Sequence, residues 1–208
     1  GIDTEYDSFH YFREKLCLIQ VHAGGVTYLF DPLADLDLSF LGDVFCDRQK
    51  IKVLHAADND IRLLKRDYAF DFVNIFDTHR AALMLGFKQL SLEKMIMEFV
   101  GVELAKDKKM QRSRWDQRPL APAQLSYAAR DVAYLPRLYR KQMEQLVQKQ
   151  MVEAAREAFA KIAACRWQER KMDQRGYVKI KGYADLSPAQ KKLLKKLYAW
   201  RFRRAREE

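Results

Sequence analysis

Four carboxylates and one phenol stand out by type and spacing. Asp3 and Glu5 are two residues apart at the start of a stretch that reads as a strand. Side chains at i and i+2 of a strand point to the same face. Two carboxylates held on one face repel each other unless a proton or a cation sits between them. A lone Asp-x-Glu also fits an ordinary surface strand. The second piece is His55-Ala-Ala-Asp58-Asn-Asp60, where a short apolar run leads through a polar turn into helical periodicity. Such strand ends are where α/β folds place ligands. Asp58 equally fits a helix cap, and Asp60 a first-turn acid facing the helix dipole. In the third piece Tyr127 and Asp131 are four apart in a helical stretch and share a face, which Leu135 and Leu138 make otherwise apolar. An acid on an inward stripe needs a partner. The bland alternative is a Tyr–Asp pair on the surface.

The elements that must position these groups can be read from the pattern. Leu16–Val21 and Val26–Phe30 are β-rich and separated by Gly24-Gly25, the sign of a hairpin whose turn needs positive φ. They are the expected partners of the first strand, which is expected to have begun upstream of Gly1. Ile51–Leu54 and Val73–Asp77 are short buried strands, with a helix over about 58–66 between them. From Thr78 the pattern is mainly helical. Ser91-Leu92-Glu93 opens a helix with Leu92, Met95, Ile96 and Phe99 at helical spacing. Residues 105–118 read as a basic loop, and one helix is expected over about 122–147. Strands early and helices late suggest an α/β fold with a mixed sheet covered by helices. Beyond 150, residues 151–172 read as a basic helix and Tyr177–Ile180 as an extended piece. Ser187-Pro188-Ala189-Gln190 then forms a capping box. The helix it opens carries Leu193, Leu194, Leu197, Tyr198 and Trp200. One amphipathic helix cannot bury its face alone, so a second domain is expected to begin there.

Charge is distributed unevenly along the 208 residues. Residues 1–105 hold 17 acidic and 11 basic side chains, whereas residues 137–208 hold 20 basic and 8 acidic. An acidic front and a basic back suggest a cation site beside a polyanion track, although solvated Lys-rich helices would give the same count. No apolar run is long enough for a membrane helix, and no signal pattern opens the chain. Cys17, Cys46 and Cys165 are scattered and form no Cys-x-x-Cys pair. This argues against a disulfide framework or zinc cluster and fits the reducing cytoplasm.

Taken in order, the three pieces resemble the DEDD exonuclease superfamily, and most closely its tyrosine branch, ribonuclease D and its exosome-associated relatives. Asp3-Thr-Glu5, His55-x-x-x-x-Asp60 and Tyr127-x-x-x-Asp131 carry the likeness. Leu18-Ile19-Gln20, Phe76-Asp77-Thr78, Gln111-x-x-x-Trp115 and Arg118-Pro119-Leu120 stand between them. It covers about residues 1–150 and continues more weakly to the end. The resemblance implies a ribonuclease H-like mixed sheet flanked by helices, with a C-terminal all-helical extension. Residues 1–150 would form the exonuclease domain, and 151–208 a helical linker and the start of an HRDC-like domain.

The resemblance also implies the chemistry. Asp3, Glu5, Asp60 and Asp131 would hold two divalent ions, Mg²⁺ or Mn²⁺, since all-oxygen ligands favour hard cations. Asp3 would bridge both, Glu5 and Asp131 would hold the ion on the water side, and Asp60 would act on the other through water. Two such ions clamp an in-line phosphoryl displacement. Tyr127 would orient the attacking water; a pKa of ~10 suits an orienter better than a base. The implied activity removes nucleoside 5′-monophosphates one at a time from RNA 3′ ends, single-stranded or structured, as in tRNA 3′ maturation. A non-catalytic RNA-binding module and a small oligonucleotide hydrolase are the alternatives on this fold. Tyr6, His55, Lys108, Gln111, Trp115 and Arg118 occupy the positions expected to meet substrate. Tyr6 could equally pack at a strand edge, Lys108 be a solvated loop lysine, His55 be structural, and Trp115 and Arg118 anchor the loop. Arg114 departs from the acid that relatives often carry before this tryptophan.

Overall fold

The computed structural model describes residues 1–8, 10–104, 108–169 and 171–207. β1 (Ile2–Asp7) pairs antiparallel with β2 (Lys15–Ala23), which pairs antiparallel with β3 (Val26–Phe30). Gly24 and Gly25 turn the hairpin at φ 58° and 80°, values that L side chains rarely adopt. Next come α1 (Phe40–Cys46), β4 (Lys52–Leu54), α2 (Asp58–Tyr68) and β5 (Ile75–Asp77), with β4 and β5 parallel. The rest is helical: α3 (Thr78–Leu85), α4 (Leu92–Val100), α5 (Lys108–Gln111), α6 (Pro122–Ala133), α7 (Leu135–Gln148), α8 (Val152–Ala163) and α9 (Pro188–Glu207). The α/β class holds, with strands early and helices late. The ladders form a three-stranded antiparallel sheet and a parallel pair, with β1 beside β4. β4 and β5 hold three residues each before their chains turn into α2 and α3.

The chain divides into two compact units. One comprises Gly1–Asp7 and Lys15–Trp167, the other Ser8–Glu14 and Gln168–Glu208. The core of the first fills the space between strands and helices. Phe45 is fully buried, stacked on Phe72 at 4.9 Å and edge-on to Phe70 at 5.5 Å. Burying each such ring contributes about 1.5–3 kcal/mol. α8 belongs here: Ala155, Phe159 and Ile162 recur at helical spacing and are buried, with Phe159 4.8 Å from the Phe76 ring. The first unit therefore runs past residue 150, because the apolar stripe of α8 closes over β5.

Four local expectations differ. The helix foreseen over 151–172 ends at Ala163. The helix foreseen over 122–147 is broken at Tyr134, since Pro136 has no N–H to continue the ladder. The basic loop contains one helical turn, Lys108–Gln111. In the second unit Tyr177–Ile180 is not extended, because Gly176–Lys179 closes a 3₁₀ turn. There the Tyr177 ring meets Tyr183 and Tyr198 at 5.7 and 6.3 Å. The capping box forms as read: Gln190 N–H donates to Ser187 Oγ at 3.3 Å, and Ser187 N–H to Gln190 Oε1 at 2.8 Å. Arg13 and Arg206 share the Glu169 carboxylate, and Phe12 packs edge-on against Phe202 at 5.1 Å.

Candidate active site

Strand alternation sorts β1 by face. Ile2 and Thr4 are buried on one side, while Asp3 and Glu5 look out on the other. Asp131 approaches from α6, which packs against all three strands of the hairpin sheet. One oxygen each from Asp3, Glu5 and Asp131 lie within 4.8 Å of one another. These side chains floor a cleft of about 360 Å³ that is also lined by His55, Glu93, Gln111, Tyr127 and Leu135.

The electrostatics are those of an unsatisfied anionic cluster. Burial first, and then the charges of Asp60 and Asp131, hold the Asp3 carboxyl well above the usual carboxylate range. Glu5 is raised by burial and then by Asp3, Asp131 and Asp60; a 3.5 Å hydrogen bond from Gln20 Nε2 only partly offsets this. Burial pushes Asp131 up to about 6 against the hydrogen bond from Tyr127, and Asp60 up to about 6 against one from the Thr4 hydroxyl. Asp60 stands outside the tight triplet. It sits in the first turn of α2, and the start of that helix is held at the Ala57 N–H by Asp77 Oδ2 at 2.7 Å. The other oxygen of Asp77 caps α3 through the Arg80 N–H, also at 2.7 Å. Asp58, the candidate cap, accepts instead a weak 3.8 Å contact from Cys165 Sγ.

Tyr127 is buried against Trp115, with ring centroids 6.2 Å apart. Its hydroxyl is hydrogen-bonded to Asp131 and Gln111. Burial and the neighbouring carboxylates raise its pKa further, so the phenol stays a proton donor. Gln111 thus faces the cleft. His55 lines it too, but is held from behind: Nδ1 is 2.8 Å from Thr78 Oγ1, and burial lowers its pKa to about 4. A neutral ring fixed in this way is a wall of the cleft.

The remaining substrate candidates point elsewhere. Tyr6 follows Glu5 where the β1–β2 register shifts, and it packs against the core with its hydroxyl buried. That position cannot stack on a base in the cleft. Trp115 is 1% exposed and donates Nε1–H to the Met110 carbonyl at 3.1 Å. Arg118 grips both oxygens of Asp31 at 2.6 Å and the carbonyls of Trp115 and Cys17 at 2.7 Å. Both residues anchor the loop and neither lines the cleft. The Lys108 side chain lies outside the described residues. Arg114 is paired with Asp116 at 2.8 Å and is 3.8 Å from Asp7. Sequence reasoning missed Gln20, Thr4 and Glu93. Gln20 sits opposite Asp3 in the β1–β2 register, a signal present in the alternation. Glu93 reaches the cleft from α4 through long-range packing and left no local signal.

Comparison with known proteins agrees with this geometry. Residues 1–147 match the family model described as 3′–5′ exonuclease. The chain belongs to the 3′–5′ exonuclease family. The exosome complex component 10 homolog of Drosophila melanogaster is 36% identical over 149 residues, covering 71% of this chain and 16% of that protein. The catalytic core of RRP6 from Trypanosoma brucei has a TM-score of 0.90 at 27% identity, covering 99% of this chain and 58% of that one. Escherichia coli RNase D, described as an exoribonuclease involved in structured RNA processing, has a TM-score of 0.74 at 30% identity. Its match covers 99% of this chain and 54% of the RNase D chain. This exonuclease chain therefore spans about a sixth of the fruit-fly relative and a little over half of the two solved chains. The family is divalent-metal dependent, and the exonuclease cleft fits such ions. Its ligand atoms are all carboxylate oxygens, they crowd within 4.8 Å, and their proton affinities are raised by burial and then by one another's charge.

Proposed function

We propose that this chain carries the catalytic site of a 3′→5′ exoribonuclease that releases nucleoside 5′-monophosphates from RNA 3′ ends. The observation that carries the reading is the Asp3, Glu5 and Asp131 oxygens gathered within 4.8 Å beside the Tyr127 hydroxyl. Asp3, Glu5, Asp60 and Asp131 would hold two Mg²⁺ or Mn²⁺ ions, which supply charge neutralisation and an acidified water. Gln20 steadies Glu5, and the Thr4 hydroxyl steadies Asp60, so both carboxylates are fixed before an ion arrives. Tyr127, protonated at any working pH, donates a hydrogen bond and orients the attacking oxygen. His55 and Leu135 wall the cleft, Gln111 meets the terminal nucleotide, and Lys108 supplies a cation to the scissile phosphate.

The excess of basic over acidic residues after position 136 supports a polyanion longer than a dinucleotide, because every phosphate that a cation neutralises releases counterions. Transfer-RNA precursors and other structured RNAs are the substrates we propose. The first unit is the nuclease, and α9 with its capping box opens an HRDC-like helical domain. Three free cysteines support work in a reducing compartment, the cytoplasm. Among the described residues no helix is long and apolar enough to cross a membrane.

The test is a 5′-labelled single-stranded RNA incubated with Mg²⁺ or Mn²⁺, with EDTA, and with the Asp60→Ala variant. The reading requires a ladder shortening from the 3′ end that is lost with EDTA and in the variant. Intact RNA under every condition, with binding retained, would reduce the chain to an RNA-binding module.

A further inference from the structure

A second cavity, of about 330 Å³, lies in the same unit as the cleft and is lined by Phe99, Val100, Arg137, Arg140, Lys141 and Glu144. Two helices link it to the cleft. α4 contributes Ser91, Leu92 and Glu93 to the cleft from its first turn and Phe99 and Val100 to the second cavity from its last. α7 contributes Leu135 to the cleft, and Arg137 onward to the second cavity. At 1.5 Å per residue along α4 the two are about 10 Å apart.

Arg137, Arg140 and Lys141 stand at i, i+3 and i+4 and so share one face of α7. Lys141 is 3.3 Å from Glu144. Arg140 spends only its Nε, on the Pro136 carbonyl at 3.4 Å, which leaves both terminal amines of the guanidinium. Arg137 and Arg140 are exposed, and neither has an ion pair with a carboxylate among the described residues. The carbonyl end of α4 opposes an anion here with about half a charge, which three cations against one carboxylate outweigh. Phe99, whose ring packs on Phe87 at 5.1 Å, adds an aromatic floor. Arginines around an aromatic surface are the usual means of holding a single strand without reading its sequence.

We infer that this cavity is a phosphate-binding subsite for the RNA strand just upstream of the cleft, with Arg137 and Arg140 as its cations. The inference rests on the nuclease reading of the cleft. It makes the enzyme favour longer strands: a dinucleotide fills the cleft alone, while a longer RNA also engages the arginines.

The test compares wild type with the double variant Arg137→Glu/Arg140→Glu, and with Arg137→Lys/Arg140→Lys as the charge-preserving control. Turnover of a dinucleotide and of a longer single-stranded RNA is followed, and anisotropy of the fluorescent longer RNA is measured across salt. The expected result is several-fold weaker binding and a higher KM for the longer RNA in the charge-reversed protein. Its salt slope should be shallower by about 0.7 for each phosphate that is no longer neutralised. Dinucleotide turnover should be unchanged, and the lysine variant should behave like wild type. Unaltered RNA binding, as expected if the patch holds an acidic protein segment instead, would overturn the inference. Equal loss on both substrates would overturn it too. The binding arm does not depend on turnover: a wild type that binds RNA through these arginines but cuts nothing sinks the nuclease reading and leaves the subsite standing.

Discussion

Two acidic sites beside the hairpin sheet have opposite characters. At Asp31 the carboxylate is met by the Arg118 guanidinium, which also holds the carbonyls of Cys17 and Trp115. Its pKa is lowered, first by the hydrogen bond from Arg118. In the cleft, a Gln20 amide, the hydroxyls of Thr4 and Tyr127 and the charge of Arg130 only partly offset burial, and all four of Asp3, Glu5, Asp60 and Asp131 are raised, burial being the largest cause for each. An acid with a resident cation fastens the chain. Acids gathered with no such guanidinium clamp form the site at which we propose that divalent ions bind.

The sharpest way to break this contrast is to remove one charged group from each site, an acid from the cleft and the guanidinium from Asp31. Asp3→Asn should reduce turnover of labelled RNA by more than about 100-fold, the scale of losing direct charge stabilisation at the reacting phosphate. The same change should raise the thermal midpoint of the metal-free protein, because it relieves repulsion. A lower midpoint would mean that Asp3 is structural. Tyr127→Phe deletes one hydrogen bond to a charged neighbour and should slow single-turnover cleavage about 10–100-fold. RNA affinity should stay unchanged; equal losses in binding and turnover would remove the orienting role. Arg118→Ala should act the other way round. It leaves Asp31 and three carbonyls without their donor and should cost about 1–3 kcal/mol in urea unfolding, while the protein that remains folded cleaves near the wild-type rate.

The pH dependence separates the two sites more finely. Asp60 and Asp131 bind protons more tightly folded than unfolded, so their contribution is full below about pH 4 and is lost as pH rises through about 6. The metal-free protein should therefore lose thermal stability across that window, and Asp131→Asn should flatten the slope. Asp31 has a lowered folded pKa, so its contribution is present above the unfolded value and is lost as pH falls through the folded one. Metal binding, followed by titration calorimetry, should release protons below about pH 6. The smallest effect expected is from Glu93→Gln, which should lower the pH midpoint of activity slightly, since Glu93 helps raise Asp131.

The site was more legible than its surroundings. Asp3 with Glu5, and Tyr127 with Asp131, follow from the periods of strand and helix, and those periods survive any tertiary arrangement. The hairpin glycines and the Ser187 capping box are equally local. What lay beyond the sequence depends on distant packing. α4 brings Glu93 to the cleft, α8 closes over β5, and residues 8–14 leave the sheet for the second unit. The break at Pro136 was visible as a proline but was outweighed by the continuous apolar stripe on either side.

The fastening of α2 by Asp77 has a consequence for the order in which a growing chain acquires its chemistry. Asp60 is made before Asp77, yet the helix start that aims it is held at Ala57 by that carboxylate, twenty residues farther along. The last acid of the cleft, Asp131, emerges only after most of the sheet and its covering helices have been made. Until Asp131 has been made, the β1 acids lack the partner that completes the triplet. The acidic cleft is thus a property of the assembled fold and of no single stretch of the chain.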